Sequence, residues 1–194
     1  MAISYPLAIP NTNSIVQFNL DAQNAVAYSQ SPFTFAGQAH AYAGQIWQLD
    51  VTLKPMRRSQ AEPWISMLTS LRGQFGTFLI GDPLACSLLG TATSATISGS
   101  VGDNSVTATI NGSLLAGDYI QLGSGNNATL HKVLVDLTSS GTLEIWPALR
   151  ADQSSASATL SNTVGKFRLA SNSISRPSDS RGIYTISFSA MEAL

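Results

Sequence analysis

Apolar and polar residues alternate at period two along much of this chain, the pattern of strands buried on one face. In SIVQFNL the spacing puts Val16, Phe18 and Leu20 on the core face and Gln17 and Asn19 opposite. QIWQLDVTL repeats it, with Trp47, Leu49, Val51 and Leu53 inward and Gln48, Asp50 and Thr52 outward. The stretch between, SPFTFAGQAHAYAGQ, has short side chains and glycine punctuation, and reads as an uneven strand or an extended loop. One segment switches to helical spacing. Ala61, Trp64, Ile65, Leu68 and Leu71 recur at intervals of three and four, which predicts a helix over about 59–72 with these residues as its core stripe. Ser59 and Glu62 have capping-box spacing, Pro63 falls in the expected first turn, and Gly73 is the expected left-handed stop. QFGTFLIGDP follows as a strand ended by Gly-Asp-Pro.

Beyond Pro83 the texture changes. A Ser/Thr/Ala/Gly-rich run with short alternating pieces leads into GDYIQLG, ATLHKVLVD and TLEIWPAL, each bounded by turn residues. Strands this short and regularly punctuated describe a small all-β barrel or sandwich. KFRLAS and GIYTISFSAMEAL then resume the stronger alternation of the first third. The chain therefore reads as mainly β. Residues 1–83 and 166–194 make a β-sandwich or barrel domain with one helix, and 84–165 an inserted, barrel-like β domain. The closing strands must return to the first sheet, because two or three strands and a helix make a poor core alone. Charge follows the same division: residues 87–165 carry two basic side chains (Lys132, Arg150) against five acidic ones, and the rest carries eight against six.

Charged residues are 11% of the chain, less than half the usual share of about a quarter, while apolar content is an ordinary 44%. A surface so short of Lys and Glu suits a protein that hides much of itself in a permanent assembly. Net charge of −1 gives no basic face for nucleic acid. The single Cys86 excludes an intrachain disulfide and a cysteine metal cluster, and reads as a small buried hydrophobe. The N-terminus lacks the basic and apolar regions of a signal peptide, and no apolar run approaches the roughly 20 residues that span a bilayer.

Candidate chemistry is sparse. His40 and His131 stand far apart with no ligand-spaced company, so each reads as structural or superficial. No metalloprotease, nucleophile-elbow, phosphate-loop or dinucleotide pattern occurs, and no cofactor is implied. Asn127 opens a glycosylation sequon that matters only on a eukaryotic secretory route. Tyr119 and Trp146 are candidate sugar-stacking platforms, against a core role for both. Arg150 is expected to pair Asp118 or Asp136. Arg57 and Arg58 sit at the positive end of the expected helix, where cations cost stability. Either solvation accounts for them or they meet carboxylates of another subunit.

The run WQLDVTLKPMRRSQAEPWISMLTSLRGQFGTFLIGDP, followed by LLAGDYIQLG, LHKVLVD and LEIWPALR and a closing aromatic strand, resembles the distal tail protein family of long-tailed (siphovirus-type) bacteriophages and prophages. That resemblance implies a non-enzymatic structural protein of the virion, made in the host cytoplasm and placed at the tail tip, or baseplate. Its helix-bearing β domain would form a homo-hexameric ring joining the tail tube to the central hub or fibre proteins. Within such a ring Arg57 and Arg58 would pair with Asp50, Asp82 or Glu192 of a neighbour. The competing readings are a free carbohydrate-binding β module, a hydrolase built on an Asp/Glu pair, and a tail-tube or tail-end ring subunit.

Overall fold

The computed structural model of the chain describes residues 3–175 and 181–194; residues 1, 2 and 176–180, which fall within the expected ring-forming segments, lie outside them. The described residues are mainly β with one α-helix. In chain order they form β1 (Leu7–Ala8), β2 (Ile15–Gln30), β3 (Gly37–Leu53), β4 (Met56–Arg57), α1 (Arg58–Ser70) and β5 (Phe78–Ile80). Six short strands follow: β6 (Ser94–Gly99), β7 (Ser105–Asn111), β8 (Tyr119–Leu122), β9 (Thr129–Val133), β10 (Gly141–Trp146) and β11 (Gln153–Thr159). The chain ends with β12 (Gly165–Leu169), β13 (Ile183–Tyr184) and β14 (Ser187–Glu192).

Two sheets carry the architecture. The first runs β1-β5-β12-β14-β3-β2, antiparallel except for the β1–β5 pair, and so joins strands from both chain ends. Its inward residues, among them Leu49, Val51, Phe78, Phe167 and Phe188, pack under α1. The second is a closed barrel, β10-β7-β6-β11-β8-β9. Ala95, Ala108 and Ala158 alternate there with Ile97, Ile120, Leu143 and Ile145, the mixture of small and large side chains that fills a narrow barrel. The linkers entering and leaving the barrel cross in contact: a Cβ on Gly81 would collide with the carbonyl of Thr163.

The helix departs from its sequence reading at its first turn. It starts at Arg58, with Arg57 as N-cap and no side-chain cap bond, so the Ser59–Glu62 capping box does not form. Glu62 instead takes Arg58 Nε at 3.2 Å, one turn away. With that start Pro63 lies in the second turn, where its missing N–H leaves the Ser59 carbonyl without its usual helical donor. Ala61, Trp64, Leu68 and Leu71 are buried as expected; Met67 joins them, and Ile65 is half-buried at the margin. Gly73 is left-handed, and so is Arg72 before it.

Three further expectations are corrected. A β-bulge between Ile15 and Gln17 turns Val16 out to solvent, while Phe18 and Leu20 stay on the inner face. SPFTFAGQAHAYAGQ is neither an uneven strand nor a loop throughout: residues 31–36 form a turn, and β3 begins at Gly37. Cys86 is exposed on the entry linker rather than buried.

Candidate functional site

β2 and β3 are 16 and 17 residues long, far beyond the other strands of their sheet. Only their inner halves find a neighbour, since β14 pairs with β3 from Gln48 to Thr52 and no further. The outer halves, from Asn24 opposite Gln45 to Gln30 opposite Gly37, form a free two-stranded arm. Every residue from Asp21 to Gln30 and from Pro32 to Gly44 is exposed. An isolated hairpin is marginal in water, so this one relies on local devices. Gly37 lies beneath the Tyr28 ring, where any Cβ would collide with it. His40 and Tyr42 meet edge to face on the other side, 4.8 Å apart. At the tip, Ser31 N donates to Ala36 O and Phe35 N to Ser31 O, both at 3.0 Å.

The arm's side chains are unusual for an exposed ribbon. Val26, Tyr28, Phe33, Phe35 and Tyr42 account for five of the fourteen large apolar side chains left exposed among the described residues, and they crowd into 17 positions. Phe33 is 90% exposed and Phe35 74%. Phe35 also takes a left-handed backbone, φ 57°, where a bulky residue costs roughly 1–3 kcal/mol and Gly or Asn would cost little. Exposed apolar side chains concentrated on one short segment in this way mark a place where another surface is meant to sit.

At the arm's root the barrel docks through a dense junction. Trp47 and Trp146 stack edge to face at 4.3 Å. Trp47 Nε1 donates to Leu130 O at 2.9 Å, and Trp146 Nε1 donates to Asn24 Oδ1 at 2.8 Å. Arg150 grips Glu192 with both ends of its guanidinium, Nε to Oε1 at 3.1 Å and a terminal nitrogen to Oε2 at 2.6 Å. The same terminal nitrogen donates to Gln45 O, and Glu192 also accepts the Trp47 N–H. Glu192 is buried, so a fork-shaped cation matched to a carboxylate is what makes its charge tolerable there. β9 is sandwiched at this junction: Leu130 faces the first core and His131 the barrel interior. His131 Nδ1 lies 2.8 Å from Pro147 O, which can only accept, so Nδ1 carries the proton and Nε2 accepts from Thr129 Oγ1 at 2.9 Å. Burial is the main cause holding this imidazole's pKa down, from 6.5 to about 4.

No protein-family model matches the chain, and no curated protein matches it.

The expected site residues scatter. Glu192 faces inward and is held by its own chain's Arg150, which removes it as a ring partner for Arg57 or Arg58. Arg150 pairs neither Asp118 nor Asp136: buried Asp118 accepts the N–H groups of Leu89, Gly90 and Leu115, and Asp136 that of Ala116. Trp146 is buried against Trp47, and half-buried Tyr119 lies under Lys132 Nζ at 5.1 Å from its ring centre, so neither offers an open stacking platform. Asp50 is exposed on the outer sheet face, bonded to Ser189 Oγ; Asp82 accepts the Leu84 N–H on the linker. Arg57 and Arg58 remain exposed at the helix start. Sequence reading missed the arm altogether. The signal was there in FTFAGQAHAY, an aromatic alternation with no charged residue to keep it in water.

Among the described residues no cluster of three or more His, Cys, Asp or Glu could hold a metal ion, and no helix is long and apolar enough to cross a membrane.

Proposed function

We propose that the protein is a structural subunit of a phage tail tip, a distal tail protein whose copies associate in a homo-hexameric ring that joins the tail tube to the hub or fibre. One observation carries this reading: an arm of two paired strands, exposed on both faces, whose Val26, Tyr28, Phe33, Phe35 and Tyr42 side chains are left exposed among the described residues. The sparse charge of the whole chain and the mainly β fold with one helix support it too. The carbohydrate-module reading loses the two platforms expected for it, because Trp146 is spent in the junction and Tyr119 lies under Lys132.

Mass by light scattering over a concentration series, followed by negative-stain images, tests the assignment. Six-fold rings with a central hole are expected at high concentration. Stacks of rings would point to a tail-tube subunit instead, and a monomer at every concentration would overturn assembly as the function.

A further inference from the structure

Beneath the arm's root, between the barrel and the end of β14, lies an open cleft of about 470 Å³. Its apolar lining comes from Val101, Ala128, Leu149 and Leu194, with Arg150 and Lys166 among the polar groups at the same opening. A cavity of roughly 150 Å³ is enough for one benzene ring, so this cleft has room for two phenyl groups. Arg150 is held there by Glu192, which lines the same cleft, so Lys166 is the cation left on the wall to favour the face of an aromatic ring over a plain aliphatic occupant.

The chain's own arm cannot fill it. Ala43, at the arm's root, is part of the cleft wall. The tip lies six residue steps beyond the Asn24–Gln45 pair along a hydrogen-bonded ladder, about 20 Å at strand rise. The same molecule thus carries two bare aromatic rings at the end of an extended arm and an apolar hole near that arm's base, held apart by the length of the ladder. Taken with the assembly reading above, on which this step rests, we propose that Phe33 and Phe35 of one copy seat in the junction cleft of a second copy. Such a knob-and-hole contact is heterologous: every subunit gives one tip and receives one, which closes into a ring when the rotation allows. It also accounts for the left-handed Phe35, since the turn holds a phenyl where local conformation favours glycine.

The test is a directed cross-link. In a Cys86→Ser background, Phe33→Cys is made in one preparation and Val101→Cys, at the exposed rim of the cleft, in another. On mild oxidation of the mixture, a 33–101 disulfide dimer is expected in preference to 33–33 or 101–101. The doubly substituted chain should give a covalent ladder. Phe33→Ser with Phe35→Ser should weaken association about 30-fold or more, the scale of losing an interface hot spot, with the monomer's circular dichroism melt unchanged. Rings that persist without a 33–101 bond, or that survive the double serine variant, overturn this contact and leave the assembly reading standing. Absence of any oligomer overturns both.

Discussion

In the barrel, Ile97, Val106, Ile120 and Leu143 alternate with Ser, Thr, Gln and Glu, and closure of the sheet brings the apolar set together in a buried interior. In the arm, Val26, Tyr28 and Tyr42 alternate with small and polar residues in the same way, and among the described residues they stay exposed. The local pattern is alike; the number of neighbouring strands is not. Each barrel strand is paired on both sides, whereas the arm's ladder has two strands and two free edges. Period-two alternation therefore specifies a strand and leaves open what its apolar face will meet. An open edge and an uncovered face are hazards for a lone molecule and resources for one that assembles. Between the two regions sits the Trp47–Trp146 and Arg150–Glu192 junction, which ties the barrel to the root of the free arm.

The largest expected effect comes from removing one side of that comparison. Replacing residues 86–163 by a short Gly/Ser link leaves ends that already lie together, since the linkers cross at Gly81 and Thr163. It also strips Trp146 from Trp47 and takes Arg150 from Glu192. The shortened chain should lose its cooperative thermal melt, because the inner face around Trp47 is uncovered. A deletion that melts like the parent would show that the junction contributes nothing to the first sheet.

Next come single changes in the two buried regions. Arg150→Ala should cost about 3–5 kcal/mol, because it abandons a buried charge. In a double-mutant cycle with Glu192→Gln much of that loss should return. Trp64→Ala should cost about 3–5 kcal/mol by emptying the space under α1. Trp64→Phe should be far milder, since the buried Trp64 Nε1 has no hydrogen-bond partner among the described residues to lose. Urea melts measure all four.

Acid sharpens the contrast from the barrel side. His131 has a folded pKa of about 4 against 6.5 when unfolded, so the unfolded chain takes up the proton first as pH falls. Its influence is absent above pH 6.5; stability is then lost between 6.5 and 4, by about 3 kcal/mol in all. His131→Gln should flatten that part of a stability–pH curve. A slope unchanged by the substitution would place the acid sensitivity elsewhere.

The smallest effects belong to the exposed sites. Cutting the arm back to an Asn-Gly turn between Asn24 and Gln45 should move the monomer's melt only slightly, because no side chain beyond them is buried. It should abolish assembly. Arg57→Ala and Arg58→Ala should each stay within about 0.5 kcal/mol. Arg58 gives up an exposed one-turn ion pair worth a few tenths of that unit while leaving the positive end of the helix. A fall in ring formation with either variant, the melt intact, would place that arginine in a subunit contact.

Much of the core was legible along the chain. Trp64, Leu68 and Leu71 recur at helical spacing, and Trp47, Leu49, Val51 and Leu53 at strand spacing, because each element buries one face and near neighbours in sequence report that face directly. The helix start was less legible: Ser59 and Glu62 have the right spacing for a cap, but β4 pairs Arg57 with Ile183 and so fixes where the extended chain ends. The candidate site was hardly legible at all. Glu192 and Arg150 stand 42 residues apart, and Trp47 and Trp146 are farther apart still, so only the packing of barrel on sheet made them partners. Composition and alternation determined that this chain would be a charge-poor, mainly β protein with one helix. Which aromatic residues would be sealed in the junction and which left bare on the arm was decided by the tertiary structure, because burial depends on which strands find neighbours, and that is a property of topology rather than of any local run of residues.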